Sequence, residues 1–171
     1  MLARLALALG LALTSSCAPR TGSSVPAASR FTGATLFAAL ERSGCYGWCP
    51  AYRVLVFADG TLEYEGEHFV LHKGLHRGQV TPAQLAALRE AFERAGYVAL
   101  ADRYVDFDYT DFPMVTTALR LPDRIKVVHH DLGDTSAPAE LLLLEEEIDA
   151  ILEMERWIGT PEQREQLRSS W

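Results

Sequence analysis

Hydrophobic and polar residues alternate through residues 52–57 and again through residues 61–65, which predicts two half-buried β-strands. Asp59-Gly60 lies between the two segments and suits a tight hairpin turn, because glycine tolerates the positive φ that such turns require. We therefore expect a β-hairpin in this part of the chain.

Other apolar segments predict further strands. Residues 67–71 and 75–80 form a second predicted strand pair, which turns at Lys73-Gly74. Residues 114–121 and 125–130 predict another hairpin. Hairpins therefore dominate the predicted sheet.

A helix with clear start and stop signals follows the first strands. Thr81 suits the N-cap position, Pro82 the first helical residue and Gln84 the third residue of a capping box. Gly96 suits the end of this helix. Its predicted apolar face consists of Leu85, Leu88, Phe92 and Ala95.

A longer helix is predicted over residues 138–157, with Ser136 as its cap and Gly159 after its end. Residues 145–147 are three glutamates that we assign mainly to its solvated side. The capping-box pattern of residues 160–163 predicts a short terminal helix. The buried stripe of the long helix is expected to contain Leu141, Leu144, Ile148, Ile151 and Leu152.

The predicted elements indicate an α+β fold. It would be a mainly antiparallel sheet of hairpins with two principal helices packed on one face. Residues 35–42 fit either a strand or a short helix, and residues 97–113 show no regular pattern. A parallel doubly wound sheet is disfavoured, because no glycine-rich phosphate loop follows a strand.

Residues 1–16 have the anatomy of a secretory signal. Arg4 supplies a positive charge, and residues 5–13 form an apolar stretch that is shorter than the roughly 20 residues needed to span a bilayer. The sequence Leu-Thr-Ser-Ser-Cys that ends at Cys17 resembles a bacterial lipobox, which implies cleavage before Cys17 and lipidation of its thiol. The alternative is an ordinary signal peptide cut nearby. Because Ala18 rather than aspartate follows the cysteine, resemblance to Gram-negative sorting signals implies the outer membrane, facing the periplasm.

These features divide the chain into four expected parts. A signal peptide at 1–16 precedes a lipid-anchored tether at 17–34, whose Ser, Pro, Gly and Ala content suits a flexible linker. A single α+β domain is expected at 35–158. A short C-terminal helix or tail completes the chain at 159–171.

The net charge argues against nucleic acid as a partner. The 171 residues carry a formal charge of −7, and loss of the signal peptide removes only the charge of Arg4, which leaves −8. Nucleic-acid binders usually present a basic patch, and the sequence contains no dense cluster of lysine and arginine. The expected partners are the membrane, through the N-terminal lipid, and an envelope protein or peptide.

Residues 42–52 carry a distinctive motif, Arg-Ser-Gly-Cys-Tyr-Gly-Trp-Cys-Pro-Ala-Tyr. Asp59-Gly60 and the Tyr-Glu-Gly of residues 64–66 follow it, and residues 110–113 read Thr-Asp-Phe-Pro. Together these segments resemble the bacterial domain of unknown function 6438, over roughly residues 35–155. The resemblance implies one exported domain and implies no particular chemistry.

Cys45 and Cys49 are expected to form a disulfide, because paired cysteines of an exported protein meet an oxidising compartment. A redox pair is the alternative. Thioredoxin-like sites place Cys-x-x-Cys beside a βαβ unit, whereas these two cysteines are separated by three residues and no βαβ unit is predicted. Two cysteines alone make an incomplete zinc site.

Histidines recur at every fourth position at His68, His72 and His76. In strands, residue parity would place His68 and His72 on one side. Metal binding is one interpretation, and solvated histidines on a polar strand face are the other, which we prefer because no HExxH pattern is present. Possible additional ligands are His129, His130 and Asp131.

Three aspartates, Asp106, Asp108 and Asp111, alternate with aromatic residues. Their oxygens suit calcium, but the glycine and distal glutamate of an EF-hand loop are missing, which favours turn and capping roles.

Arg42 lies beside the cysteines in the sequence. Its guanidinium could bind a ligand, or it could form a structural salt bridge or a contact with a carbonyl, and we expect the structural role.

The sequence favours a noncatalytic envelope module that binds a partner or supports envelope structure, and it predicts no catalytic residue, metal or other cofactor. The alternative is a metal-dependent or hydrolytic envelope enzyme that uses histidines and aspartates. A pocket that gathers His72, His129 and Asp108 would favour the enzyme, whereas a packed core with an exposed aromatic patch would favour the binding module.

Overall fold

The computed structural model describes residues 36–105 and 111–169. The strands are β1 (Leu36–Arg42), β2 (Ala51–Phe57), β3 (Thr61–His68), β4 (Gly74–Gln79), β5 (Arg103–Tyr104), β6 (Met114–Arg120) and β7 (Ile125–Asp131). The α-helices are α1 (Pro82–Arg94), α2 (Ala139–Ile151), α3 (Glu155–Ile158) and α4 (Pro161–Ser169). The strands form one sheet in the order β4-β3-β2-β1-β6-β7-β5. Every neighbouring pair of these described strands is antiparallel except β5 and β7, which confirms the predicted fold class.

The first predicted hairpin is present as β2 and β3, and Gly60 in its turn has a φ of 85°. Of the second predicted strand pair, the strand at residues 75–80 is present as β4, but the strand at residues 67–71 is wrong, because β3 continues to His68 and pairs directly with β4. Phe69 has a φ of 53°, which turns the chain out of the strand. Leu71 and His72 then donate their backbone N–H groups to carbonyl oxygens of α3 instead of to a strand.

Both principal helices pack on the same face of the sheet, and they contact each other. The predicted capping box starts α1: the N–H of Gln84 donates to Oγ1 of Thr81 at 3.1 Å, and the N–H of Thr81 donates to Oε1 of Gln84 at 2.9 Å. The core between sheet and helices is built by large buried side chains, among them Leu40, Tyr52, Leu62, Tyr64, Leu88, Phe92, Tyr97, Leu141, Leu144 and Leu152.

The long helix predicted over residues 138–157 is interrupted, which corrects the prediction. Its first segment, α2, ends at Ile151, and Glu153 adopts a left-handed φ of 52° before α3 begins. Its N-cap is Pro138, and Ser136 provides no cap. The break turns α3 back onto β3 and onto the segment that follows it, where the carbonyl of Trp157 accepts the N–H of His72 at 3.0 Å.

The opposite face of the sheet carries a small apolar cluster around Leu36, Ala39 and Ala118, together with the cross-strand ion pair of Arg53 and Glu65. In the stretch expected to be irregular, Tyr97–Ala99 form a 3₁₀ helix that precedes β5. Within the two described ranges, no helix combines the length and the apolar character that crossing a bilayer requires.

Candidate functional site

Arg42, Tyr52 and Asp149 form a hydrogen-bonded cluster between the sheet and α2. Arg42 ends β1 and is the register partner of Tyr52 on β2, so both side chains point to the helix face. Arg42 donates from Nε and Nη2 to Oδ2 of Asp149, at 3.0 and 2.8 Å. The hydroxyl of Tyr52 donates to Oδ1 of the same carboxylate at 2.6 Å. Nη2 of Arg42 also reaches the backbone carbonyl of Glu145 at 3.1 Å, so the expected structural role of Arg42 is confirmed.

The electrostatics of this cluster raise the pKa values of Tyr52 and Arg42. Burial raises the pKa of the Tyr52 hydroxyl well above its ordinary value, and the neighbouring Asp149 carboxylate raises it further. Burial, the largest single influence, lowers the pKa of Arg42, but the charges of Asp149 and Tyr52 and their hydrogen bonds together outweigh it, so the pKa is raised overall. Tyr52 is therefore a neutral donor at physiological pH, and the cluster ties β1 and β2 to α2.

An apolar recess of about 290 Å³ opens beside the cluster. The cluster contributes Arg42, Tyr52 and Asp149 to its lining. The rest of the lining is Ser43, Cys49, Pro50, Pro113, Val115, Leu132 and Ile158. Because the carboxylate of Asp149, the hydroxyl of Tyr52 and Nε and Nη2 of Arg42 already have partners, the recess suits an apolar group better than an ion.

The predicted disulfide between Cys45 and Cys49 is present and closes a short loop at the mouth of the recess. The loop is also held from both sides by the backbone. The N–H of Ser43 donates to the carbonyl of Met114 at 2.9 Å. In return, the hydroxyl oxygen of Ser43 accepts the N–H of Met114 at 2.8 Å. The N–H of Tyr46 donates to the carbonyl of Asp111 at 3.2 Å. The loop is thus fixed against the segment that precedes β6.

Four exposed apolar side chains lie on the segments that border the recess, and we call them the apolar rim: Tyr46, Trp48, Phe112 and Leu132. Leu132 lines the recess, Tyr46 and Trp48 lie in the disulfide loop that contributes Cys49, and Phe112 precedes the lining residue Pro113. Tyr46 is 92% exposed and Trp48 is 46% exposed. Trp48 meets the ring of Phe69 edge-on, with centroids 4.8 Å apart, and the guanidinium of Arg168 on α4 lies 5.9 Å from its centroid. Exposed apolar side chains grouped beside a recess are typical of an interaction site.

The structure does not gather the histidines into one site. His72 and His76 lie 5.6 Å apart (ring centroids) beside Trp157, and His68 ends β3. His129 lies on β7, which is five strand positions away from β4 in the sheet, a separation of roughly 24 Å. Among residues 36–105 and 111–169, no three histidine, cysteine, aspartate or glutamate side chains come close enough to hold a metal ion.

The remaining candidate ligands have separate roles. Nδ1 of His129 lies 3.0 Å from Oγ1 of Thr116. Asp131 is buried and accepts the N–H of Gly133 at 2.8 Å. His130 pairs with Glu145.

The predicted aspartate group is only partly described. Asp106 and Asp108 lie outside the described residues. Asp111 is exposed, and its backbone carbonyl holds the disulfide loop.

Two functional positions on α2 were missed by the sequence interpretation. Glu145 was assigned to the solvated side but is buried, and Asp149 was not singled out. A signal for Glu145 was present, because position 145 lies four residues after Leu141 and three before Ile148 and so falls within the apolar stripe. Asp149 follows Glu145 by one helical turn, which brings both residues to the end of β1.

None of the curated proteins compared with the chain matches it significantly. The family model of the domain of unknown function DUF6438 matches residues 37–152, which span β1 to α2 and include the disulfide and the Arg42, Tyr52 and Asp149 cluster. This match covers more than half of the chain, and the chain therefore belongs to the DUF6438 family.

Proposed function

We propose that this chain is an exported lipoprotein, anchored to the outer membrane through Cys17, whose domain is a noncatalytic binding module. Its ligand is a protein or peptide of the cell envelope that inserts one apolar side chain into the recess. The observation that carries this proposal is the apolar rim beside a recess in which Arg42 and Tyr52 already pair with the carboxylate of Asp149.

The energetics of the recess support capture of a side chain. Pockets that bury one aromatic or aliphatic anchor commonly dominate the affinity of an interface. The disulfide and the backbone bonds of Ser43 and Tyr46 fix the rim before binding, so little conformational entropy is lost when a partner docks. The Arg42, Tyr52 and Asp149 cluster keeps the recess open by holding α2 at a set distance from the sheet.

The position of the recess also suits a tethered module. The recess lies at the Arg42 end of β1, and the proposed tether joins the opposite end at Leu36. Seven strand residues place the two ends roughly 20 Å apart. The apolar rim therefore faces away from the point at which the proposed anchor enters the domain.

The proposed partner is tested by site-specific photo-crosslinking of the full chain in its native envelope. A photoreactive residue in place of Tyr46 should crosslink to a protein, whereas the same residue in place of Leu75, which is exposed on β4, should not. A fragment of the captured protein should then bind the wild-type chain at least tenfold more tightly than the Leu132→Glu variant, with Leu75→Glu as the matched control. Equal crosslinking at both positions, or unchanged binding by Leu132→Glu, would refute the binding proposal.

The proposed anchor needs a separate test. Cells given labelled palmitate should incorporate it into the wild-type chain and not into a Cys17→Ser variant. Label in the Cys17→Ser variant, or none in the wild-type chain, contradicts lipidation at this residue. Because the recess does not involve Cys17, either result leaves the crosslinking experiment interpretable.

A further inference from the structure

A second and larger cavity, of about 570 Å³, lies at the other end of β1. It is bounded by the C-terminal half of α1, the 3₁₀ helix and the adjoining ends of β1 and β6. Its volume is in the range of small-molecule sites. The apolar part of its wall is formed by Phe37, Phe92, Tyr97, Val98, Leu119 and Leu121.

The charged groups of this cavity are two arginines and one glutamate: Arg89, Arg120 and Glu93. The cavity is therefore net positive in a chain whose formal charge is −7. The guanidinium carbon of Arg89 lies 5.1 Å from the centroid of the Phe37 ring. This stacking holds the planar guanidinium against the apolar wall, while the N–H groups along its edge keep the geometry that binds a carboxylate.

We propose that this cavity binds a single-chain alkyl carboxylate, with the alkyl chain against the aromatic and aliphatic wall and the carboxylate at Arg89. An apolar wall alone would accept any apolar molecule. The guanidinium of Arg89, held on the Phe37 ring at the same cavity, selects an anionic end. The ligand is a monomer taken from solution, and this site is independent of the proposed partner recess.

The test is direct binding by calorimetry to the full chain carrying Cys17→Ser, which removes the attachment point of the proposed lipid. Octanoate, decanoate and dodecanoate are titrated below the concentrations at which they form micelles. Burial of each methylene should increase affinity about fourfold, so each two-carbon step should gain about 15-fold. Affinity that does not rise with chain length overturns the proposal.

Variants place the ligand in the cavity. Val98 and Leu75 are similarly exposed, at 57% and 59%, and only Val98 lines the cavity. Val98→Glu should weaken dodecanoate binding at least tenfold, and Leu75→Glu should leave it unchanged. Equal effects of the two variants would show that binding occurs elsewhere.

The head group has its own control. Arg89→Gln should weaken dodecanoate binding about two- to fivefold, as expected for an exposed charge pair, and should leave dodecanol binding unchanged. If the wild-type chain binds dodecanol as tightly as dodecanoate, the assigned role of Arg89 is wrong.

Discussion

Nδ1 of His130 lies 3.0 Å from each carboxylate oxygen of Glu145, in the interior between β7 and α2. Both side chains are almost completely buried, with exposed fractions of 2% and 3%. The pair lies next to the functional site, because the backbone carbonyl of Glu145 accepts a bond from Arg42. One residue thus links the buried pair to the cluster beside the recess.

Removal of one member of this pair should be strongly destabilising. Glu145→Leu leaves the polar imidazole of His130 buried without a partner, so we expect the free energy of unfolding to fall by about 3 kcal/mol in urea titrations. The exposed neighbour provides the control, because Glu146→Leu should change the free energy of unfolding by less than about 0.5 kcal/mol. Replacing both members, as His130→Leu with Glu145→Leu, should recover most of the loss. Additive losses in the double variant would show that the two side chains are not coupled.

Gly66 on β3 has no room for a side chain. A Cβ built at this position would lie 2.1 Å from the carbonyl oxygen of His72 and 2.6 Å from the hydroxyl of Tyr64. We expect Gly66→Ala to lower the free energy of unfolding by at least about 3 kcal/mol, because neither neighbour can move without disturbing the core. Gly44→Ala is the matched control, since a Cβ there meets no atom within 4 Å. Similar midpoints of thermal unfolding for the two variants would contradict this account of Gly66.

The parts of the fold that the sequence predicted correctly are those in which local pattern and tertiary packing agree. The β2–β3 hairpin and the start of α1 carry their own turn and cap residues. The interruption after Ile151 could not be predicted in this way, because the apolar spacing continues through Leu152 and Trp157. The bonds from Leu71 and His72 to α3 join segments far apart in the sequence, and they favour the break over a continuous helix.

The functional site was predictable only in part, for a similar reason. The cysteine pair and Arg42 lie in one short motif, so their proximity follows from the chain itself. Asp149 lies 107 residues after Arg42, and nothing local indicates that these two meet. The burial of Glu145 agrees with its place in the apolar stripe, but its pairing with His130 depends on the register of α2 against the sheet.

The ion pair of Lys126 and Asp102 should make the free energy of unfolding depend on pH in the acid range. Nζ of Lys126 donates to Oδ1 of Asp102 at 2.7 Å, and this bond lowers the pKa of Asp102 below its ordinary value of 3.8. The stabilisation is therefore present above about pH 4 and is lost as the pH falls through the lowered pKa. Because Asp102 is 80% exposed, solvent screening keeps the effect to about 0.5–1 kcal/mol.

Urea titrations of wild-type and Asp102→Asn chains between pH 7 and pH 2 measure this dependence. The variant should be less stable at pH 7, and the difference should vanish at the acid end of the series. Glu146→Gln, which removes a charge from an exposed position on α2, should not reproduce this profile. A gap that persists unchanged at pH 2 would show that the charge of Asp102 is not its cause.

The disulfide should stabilise the domain, and the domain should still fold, with lower stability, when the disulfide is removed. Five residues close the loop from Cys45 to Cys49, and the chain-entropy estimate for so short a loop is about 2 kcal/mol. The backbone bonds of Ser43 and Tyr46 remain when the disulfide is removed, so the double variant Cys45→Ser with Cys49→Ser should still unfold cooperatively, at a lower urea midpoint. Reductant should lower the midpoint of the wild-type and Cys17→Ser chains and leave that of the double variant unchanged. An equal response of all three chains to reductant would mean that this disulfide does not stabilise the domain. Because the loop borders the recess, the double variant should also bind the captured partner more weakly.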